Sequence, residues 1–139
     1  MRSVGAVDVL AEPSTDDAVE LLLVGLGEMA TTGMAVAEKL AAQGHSVRVV
    51  DPRWCVPVPD DLVEMARSAG ALAVLEDNLV VGGVGSQVTA AVRDAGLSVP
   101  VHLHGIPKRF LPHASRGEVL EEIGLTPDAI ADGLHAALS

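Results

Sequence analysis

The chain has 139 residues and a mass of 14.2 kDa, the size of one domain, and 49% of its residues are hydrophobic, which excludes an intrinsically disordered protein. Only 1% of the residues are aromatic, so aliphatic side chains must fill the core, and this favours a parallel sheet covered by helices. Nineteen acidic residues against nine basic ones give a formal net charge of −10, which predicts that the chain binds neither nucleic acids nor membranes.

Nine segments have the patterns of strands or helices. In chain order they are a strand at residues 7–12, a strand at 20–27, a helix at 30–43, a strand at 46–51, a helix at 60–68, a strand at 71–75, a helix at 87–95, a strand at 99–104 and a helix at 128–138. Gly44 and Gly96 are placed to end two of the helices. Thr126 is the predicted N-cap of the last helix, and Ser115 with Glu118 fits a capping box.

Strands that alternate with helices predict parallel βαβ units and a three-layer α/β/α fold. We find no repeat and no linker long enough to divide the chain. We therefore expect a single domain over residues 1–139, in which residues 1–20 supply an edge strand and its connection and residues 125–139 supply the terminal helix.

Three features of the sequence predict a cytoplasmic location. Cys55 is the only cysteine and cannot form an internal disulfide, which suits a reducing compartment. The first twenty residues are rich in acidic side chains, the wrong charge for a signal peptide. No apolar run approaches the 18 or so residues that a transmembrane helix needs.

One segment has the spacing of a dinucleotide fingerprint. Gly25, Gly27 and Ala30 match G-x-G-x-x-A between a predicted strand and a predicted helix, and the next predicted strand ends in Asp51. Such glycines allow a pyrophosphate to approach the backbone, and the acid holds a ribose hydroxyl. Glu28 would repel that pyrophosphate, so a tight strand-to-helix turn built from small residues is the favoured alternative.

A second glycine-rich turn precedes the predicted helix at residues 87–95. The backbone amides around Gly83, Gly85 and Ser86 could form an anion-binding nest, although Glu76 and Asp77 just before them disfavour an anion. Ser86 lacks the flanking glycines of a nucleophile elbow, and we interpret it as a helix N-cap. Glu76 and Asp77 close the predicted strand, and capping of a helix or a loop is their favoured role.

Histidines and basic residues cluster near the last predicted strand. His102 and His104 share one face of it, but no cysteine or acid has the spacing to complete a metal site, so we interpret them as partly buried or interfacial. Lys108, Arg109 and Arg116 form a basic stretch in an otherwise acidic chain. This stretch could contact an acidic surface or a phosphate on another domain, or it could be a solvated loop.

Three segments in order carry a resemblance to a known family. They are residues 51–60 (DPRWCVPVPD), residues 76–78 (EDN) followed by 82–86 (GGVGS), and residues 105–115 (GIPKRFLPHAS). In this combination the chain, from about Val4 to Leu138, resembles the C-terminal domain of the 1-deoxy-D-xylulose-5-phosphate synthases, in the form typical of actinobacteria.

The resemblance implies a parent enzyme that condenses pyruvate with glyceraldehyde 3-phosphate and releases CO2, a transferase of isoprenoid (terpenoid) and thiamine biosynthesis. It implies a homodimer of three-domain subunits whose other domains hold thiamine diphosphate and Mg2+. For this domain it implies a transketolase C-terminal-like fold, a five-stranded mixed sheet in which the first strand, residues 7–12, is an antiparallel edge strand. It carries over no catalytic residue, no cofactor and no metal to this chain, because the family's motifs for them lie in the other domains.

Three functional hypotheses follow. In the first, the chain is the structural and dimerising domain of such a synthase and contacts the thiamine-diphosphate-binding domains. In the second, it is a free-standing subunit of a split transketolase-like enzyme, and in the third a nucleotide-binding regulatory module that uses Gly25, Gly27 and Asp51. The candidate interdomain or dimer contacts are Glu76, Asp77, Asn78, Lys108, Arg109 and His113.

Overall fold

In the computed structural model, six strands form one mixed sheet with helices on both faces. The structure describes residues 2–4, 7–13, 18–25, 29–52, 58–79, 84–106 and 126–138. The strands are β1 (Arg2–Val4), β2 (Val7–Ala11), β3 (Leu21–Gly25), β4 (Val47–Asp51), β5 (Ala71–Leu79) and β6 (Val101–Ile106). The helices are α1 (Met29–Ala42), α2 (Asp60–Arg67), α3 (Val84–Asp94) and α4 (Pro127–Leu138).

The strand order across the sheet is β1-β2-β4-β3-β5-β6, and the predicted α/β class is confirmed. Four neighbouring strands, β4, β3, β5 and β6, are parallel to one another, whereas β2 is antiparallel to β4. The sheet also contains β1, a short strand that pairs antiparallel with β2 and places the predicted edge strand one position inward. Three residues are too few to show a period-two pattern, which is why β1 has no signal in the sequence.

The two faces of the sheet bury two separate apolar cores. On β3, Leu21 and Leu23 face α1 and α4, and Leu22 and Val24 face α2 and α3. All five residues of β3 are buried, as is typical of a central parallel strand covered on both faces. This two-sided burial explains the continuous apolar run that predicted the strand.

Helix ends follow the predicted signals in most places. Gly44 and Gly96 have φ angles of 91° and 77°, a backbone conformation that glycine adopts without strain. At the start of α4, the Thr126 Oγ1 atom accepts a 3.4 Å hydrogen bond from the Ala129 N–H, which confirms the predicted cap. The predicted capping box at Ser115 and Glu118 lies outside the described residues.

Helix α4 completes one of the two cores. Its buried side chains Ile130, Ala131 and Leu134 pack in the same cluster as α1 and β3. An ion pair between Lys39 on α1 and Asp128 on α4 adds a polar contact, which contributes little because both side chains are largely exposed. The docking of α4 therefore depends mainly on its apolar stripe.

We predict that Leu134→Ala lowers the free energy of unfolding by about 2–5 kcal/mol, because it removes a side chain that is only 1% exposed and leaves a cavity. Urea denaturation at pH 7.5 measures this loss. The matched control is Met34→Ala, which shortens a side chain that is 40% exposed and should cost less than about 1 kcal/mol. Equal losses for the two variants would contradict the proposed packing of α4.

Candidate functional site

The predicted ligand residues lie at the carboxyl edge of the parallel strands. Gly25 ends β3 and pairs with Leu75 on β5, while Val24 pairs with Val50, which precedes Asp51 at the end of β4. Helix α1 follows β3 on one face of the sheet and α3 follows β5 on the other. The edge between β3 and β5 is therefore a topological switch point, the position where open α/β sheets bind ligands.

The space that Gly25 leaves is occupied by the chain itself. A Cβ atom at this position would lie 2.7 Å from the Ala30 Cα and 2.8 Å from the Met29 carbonyl oxygen. The glycine thus allows the backbone of α1 to approach β3, and this contact supports the tight-turn interpretation. Gly27, the second glycine of the fingerprint, lies outside the described residues.

Asp51, the predicted ribose-binding acid, is half-buried and has a second acid beside it. Asp8 on β2 lies directly opposite Asp51 in the antiparallel register. Opposed residues of an antiparallel pair have side chains on the same face, so two carboxylates add negative charge at this edge. Two carboxylates are not the cationic or amide groups that bind a dinucleotide pyrophosphate.

Helix α3 begins earlier than predicted, and the N-cap role of Ser86 is wrong. The helix starts at Val84, so Ser86 lies within its first turn and Gly85 is part of the helix. The Gly85 carbonyl accepts a 2.9 Å hydrogen bond from the Thr89 hydroxyl, which ties this glycine into the helix. Gly83 lies outside the described residues, and the anion nest stays a prediction.

The segment Glu76–Asp77–Asn78 belongs to β5, contrary to the prediction that it closes the strand. Leu75 pairs with His104 and Leu79 with Ile106, so three residues of β5 lie opposite one residue of β6. Such a bulge bends a strand where it leaves regular pairing. Lys108, Arg109 and His113, the other predicted contact residues, lie outside the described residues.

His102 and His104 lie on one face of β6, as predicted, beside Ala73 and Leu75 of β5. Burial lowers the pKa of His104, and the positive charge that His102 can carry lowers it further. Within the described residues, no group of three or more His, Cys, Asp and Glu side chains has the arrangement of a metal site.

The opposite edge of the sheet holds a cluster that the sequence interpretation missed. The His45 ring contacts Glu20 Oε1 through Nδ1 at 3.0 Å and His135 Nδ1 through Nε2 at 2.8 Å. Glu20 precedes β3 and His45 precedes β4, and adjacent parallel strands begin at the same edge, so their proximity could have been predicted. His135 is 90 residues from His45, and no local pattern connects them.

Thiamine diphosphate, which the resemblance implies for the parent enzyme together with Mg2+, does not fit the described residues. Mg2+ binds carboxylates, but no described group of three or more His, Cys, Asp and Glu side chains could hold it. A diphosphate needs cationic or amide partners, whereas the carboxyl edge carries Asp8 and Asp51. We therefore assign no described residue to either group. Among the helices that the structure describes, none has the length and apolar character to cross a bilayer.

Comparison with protein families and relatives gives a consistent result. The family described as "Transketolase, C-terminal domain" matches residues 11–130. The chain is 50% identical over 136 residues to a 1-deoxy-D-xylulose-5-phosphate synthase of Mycobacteroides abscessus, and 49% identical over 140 residues to 1-deoxy-D-xylulose-5-phosphate synthase 2 of Kitasatospora griseola. These matches cover 96% and 99% of the chain but 21% and 22% of the relatives, so the chain spans about a fifth of their length.

Solved structures share the fold. A protein described as a split gene transketolase, an inactive beta4 tetramer, has a TM-score of 0.79 and 30% identity, and the match covers 99% of this chain and 44% of that one. A transketolase from Pichia stipitis has a TM-score of 0.66 at 13% identity, with 96% of this chain and 18% of that one covered. The latter similarity shows the fold alone.

We predict that Gly25→Ala destabilises the chain by about 1–3 kcal/mol, because the added methyl group meets the backbone of α1. Urea denaturation measures the change. The matched control is Gly133→Ala in α4, where nothing lies within 4 Å of the new Cβ and the substitution should stabilise the helix by up to about 1 kcal/mol. A Gly25→Ala variant as stable as the unaltered chain would show that the space at Gly25 is open.

We also predict that His104 makes the chain less stable in acid. Because its pKa in the folded chain is below 6.5, the unfolded chain binds more protons, and stability is lost as the pH falls through and below that value. His104→Gln should therefore reduce the loss of stability between pH 7.5 and 5.5. His102→Gln should reduce it less, since the charge of His102 is the smaller cause. An unchanged loss in His104→Gln would contradict this assignment.

Proposed function

The chain belongs to the transketolase C-terminal domain family, and we propose that it is the C-terminal domain of a 1-deoxy-D-xylulose-5-phosphate synthase. The observation that carries this proposal is the 50% identity to the Mycobacteroides abscessus synthase over 96% of the chain. The three sequence segments that resemble this synthase family are part of that similarity and lie in the same order.

The proposed activity belongs to the whole synthase. That enzyme would condense pyruvate with glyceraldehyde 3-phosphate in the cytoplasm, with thiamine diphosphate and Mg2+ held by its other domains. The described part of this chain supports a structural role within that enzyme, because it has its own two-sided core and carries acidic side chains at its carboxyl edge. We propose that the chain packs on the thiamine-diphosphate-binding domains and extends the dimer interface.

The contacts in that assembly would be mainly polar. Among the described residues, Met34 is the one large hydrophobic side chain with substantial exposure, so these residues offer little apolar surface to a neighbouring domain. We propose that the bulged segment Glu76–Asp77–Asn78 contacts the neighbouring domains. Lys108, Arg109 and His113, from the chain after β6, would add basic groups to the same interface.

A second candidate function is a free-standing subunit of a split transketolase-like enzyme. The observation in its favour is the 30% identity and TM-score of 0.79 to the split gene transketolase, whose matched chain is only 44% covered. A nucleotide-binding regulatory module is a third hypothesis. It has less support, since α1 fills the space at Gly25 and Asp8 lies opposite Asp51.

A domain exchange tests the first proposal. The matching fifth of the Mycobacteroides abscessus synthase is replaced by this chain, and formation of 1-deoxy-D-xylulose 5-phosphate from pyruvate and glyceraldehyde 3-phosphate is measured. We expect a rate within about tenfold of the unaltered synthase, a barrier change of at most ~1.4 kcal/mol, because half of the residues are identical.

Two controls make the exchange specific. The matching domain of the Pichia stipitis transketolase, which shares the fold at 13% identity, should give an inactive chimera in the same position. This chain alone should form no product. Restoration of activity when this chain is added as a separate molecule, but not when it is fused, would favour the split subunit. Failure in both forms would refute both proposals.

A further inference from the structure

The His45–His135 pair joins the terminal helix to the body of the fold. His45 lies between α1 and β4, and His135 lies in the last turns of α4. Their ring nitrogens are 2.8 Å apart, and the ring centroids are 5.0 Å apart with an interplanar angle of 66°. This edge-on contact is a hydrogen bond, so one of the two nitrogens must carry a proton and the other must not.

His45 has little freedom to move. Its side chain is only 9% exposed, and its Nδ1 atom bonds the Glu20 carboxylate. Glu20 is itself held, because its N–H donates to the Ser46 hydroxyl at 3.0 Å and its other carboxylate oxygen lies 3.4 Å from the Ser46 N–H. The Ser46 hydroxyl donates in turn to the Ala18 carbonyl at 2.8 Å. The carboxylate fixes a proton on Nδ1, so the protonation of Nε2 depends on His135.

The contact between the two rings can hold only a limited number of protons. With both rings neutral, the His135 Nδ1–H donates to His45 Nε2. With one added proton on His45, the Nε2–H donates to a neutral His135, and the Glu20 carboxylate stabilises the charge. With both rings protonated, two N–H groups face each other, and the hydrogen bond is replaced by repulsion between two cations.

We propose that the His45–His135 pair is a proton-operated latch: when both rings are protonated, α4 loses this contact and opens from the sheet more often, although its apolar stripe still favours docking. The latched pair holds at most one added proton and the released pair holds two, so acid favours release. Release would uncover the apolar face of the sheet that Leu21 and Leu23 share with α4. The proposal depends only on this geometry and is independent of the proposed function.

The other ionisable groups on the elements around the pair do not change the expectation that acid favours the release of α4. Among the described residues they are Glu20 before β3, Glu38 and Lys39 on α1, and Asp128 and Asp132 on α4. The carboxylates among them attract protons to the rings but do not remove the repulsion between two N–H groups that face each other across a 2.8 Å contact. Lys39 is paired with Asp128, at the opposite end of α4 from His135.

Amide hydrogen exchange of the whole chain between pH 6.5 and pH 5.5, above its pI of 4.7, tests the latch. After correction for intrinsic exchange, protection of the α4 amides relative to the β3 amides should fall by up to about tenfold, the limit for a difference of one proton over one pH unit. His135→Asn keeps an amide oxygen where Nδ1 contacts His45 but removes the second titrating ring. Its relative protection should change less than about twofold over the same interval.

The matched control is Lys39→Gln, which removes the other polar tie between α1 and α4. It should lower protection of α4 equally at both pH values and leave the pH dependence intact. Equal pH dependence in His135→Asn and the unaltered chain would overturn the proposal. The 15N spectrum of the histidine rings gives a test that needs no variant, because it reports the protonation of each ring. If both rings are fully protonated and the protection of the α4 amides relative to the β3 amides is unchanged, the proposal is also overturned.

Discussion

Burial of the central parallel strands on both faces is the constraint on which the rest of this structure depends. Leu22 and Val24 of β3 need cover on one side, and Leu21 and Leu23 need it on the other. A parallel pair also needs a crossover connection, so the same helices that join the strands supply that cover. Three of the helices are crossovers of this kind, whereas α4 comes from the end of the chain and covers the face beside α1. The terminal helix is therefore a required part of the core.

The layout of the sheet explains why its two edges differ. At the carboxyl edge, Gly25 lets α1 start directly against β3, and Asp8 and Asp51 add negative charge. As far as the described residues show, this edge has the topology of a ligand site but not the side chains that bind an anionic ligand. At the amino edge, Glu20, His45 and His135 form a hydrogen-bonded series that spans two strand starts and the terminal helix. In the described residues, the cluster of Glu20, His45 and His135 at the amino edge is thus separate from the switch point at the carboxyl edge.

The sequence was sufficient for those features whose cause is local. The apolar run of β3, the spacing of α1 and the glycine that ends it predict their elements to within two residues. The sequence-based predictions fail where contacts between distant elements determine the structure. Strand β5 continues through Glu76–Asp77–Asn78 because β6 pairs beyond the bulge, and α3 starts at Val84 although its first turn contains a glycine. The contact between His45 and His135 depends on how α4 crosses the sheet, which no local pattern records.

The proposal that this chain is one domain of a larger synthase can be tested by the size of the native product. Antibody raised against the chain is used to probe a lysate of the source cells under denaturing conditions. Because the chain spans about a fifth of its relatives, we expect a band of about five times 14.2 kDa. A band at 14.2 kDa would contradict it and would make the chain a separate subunit.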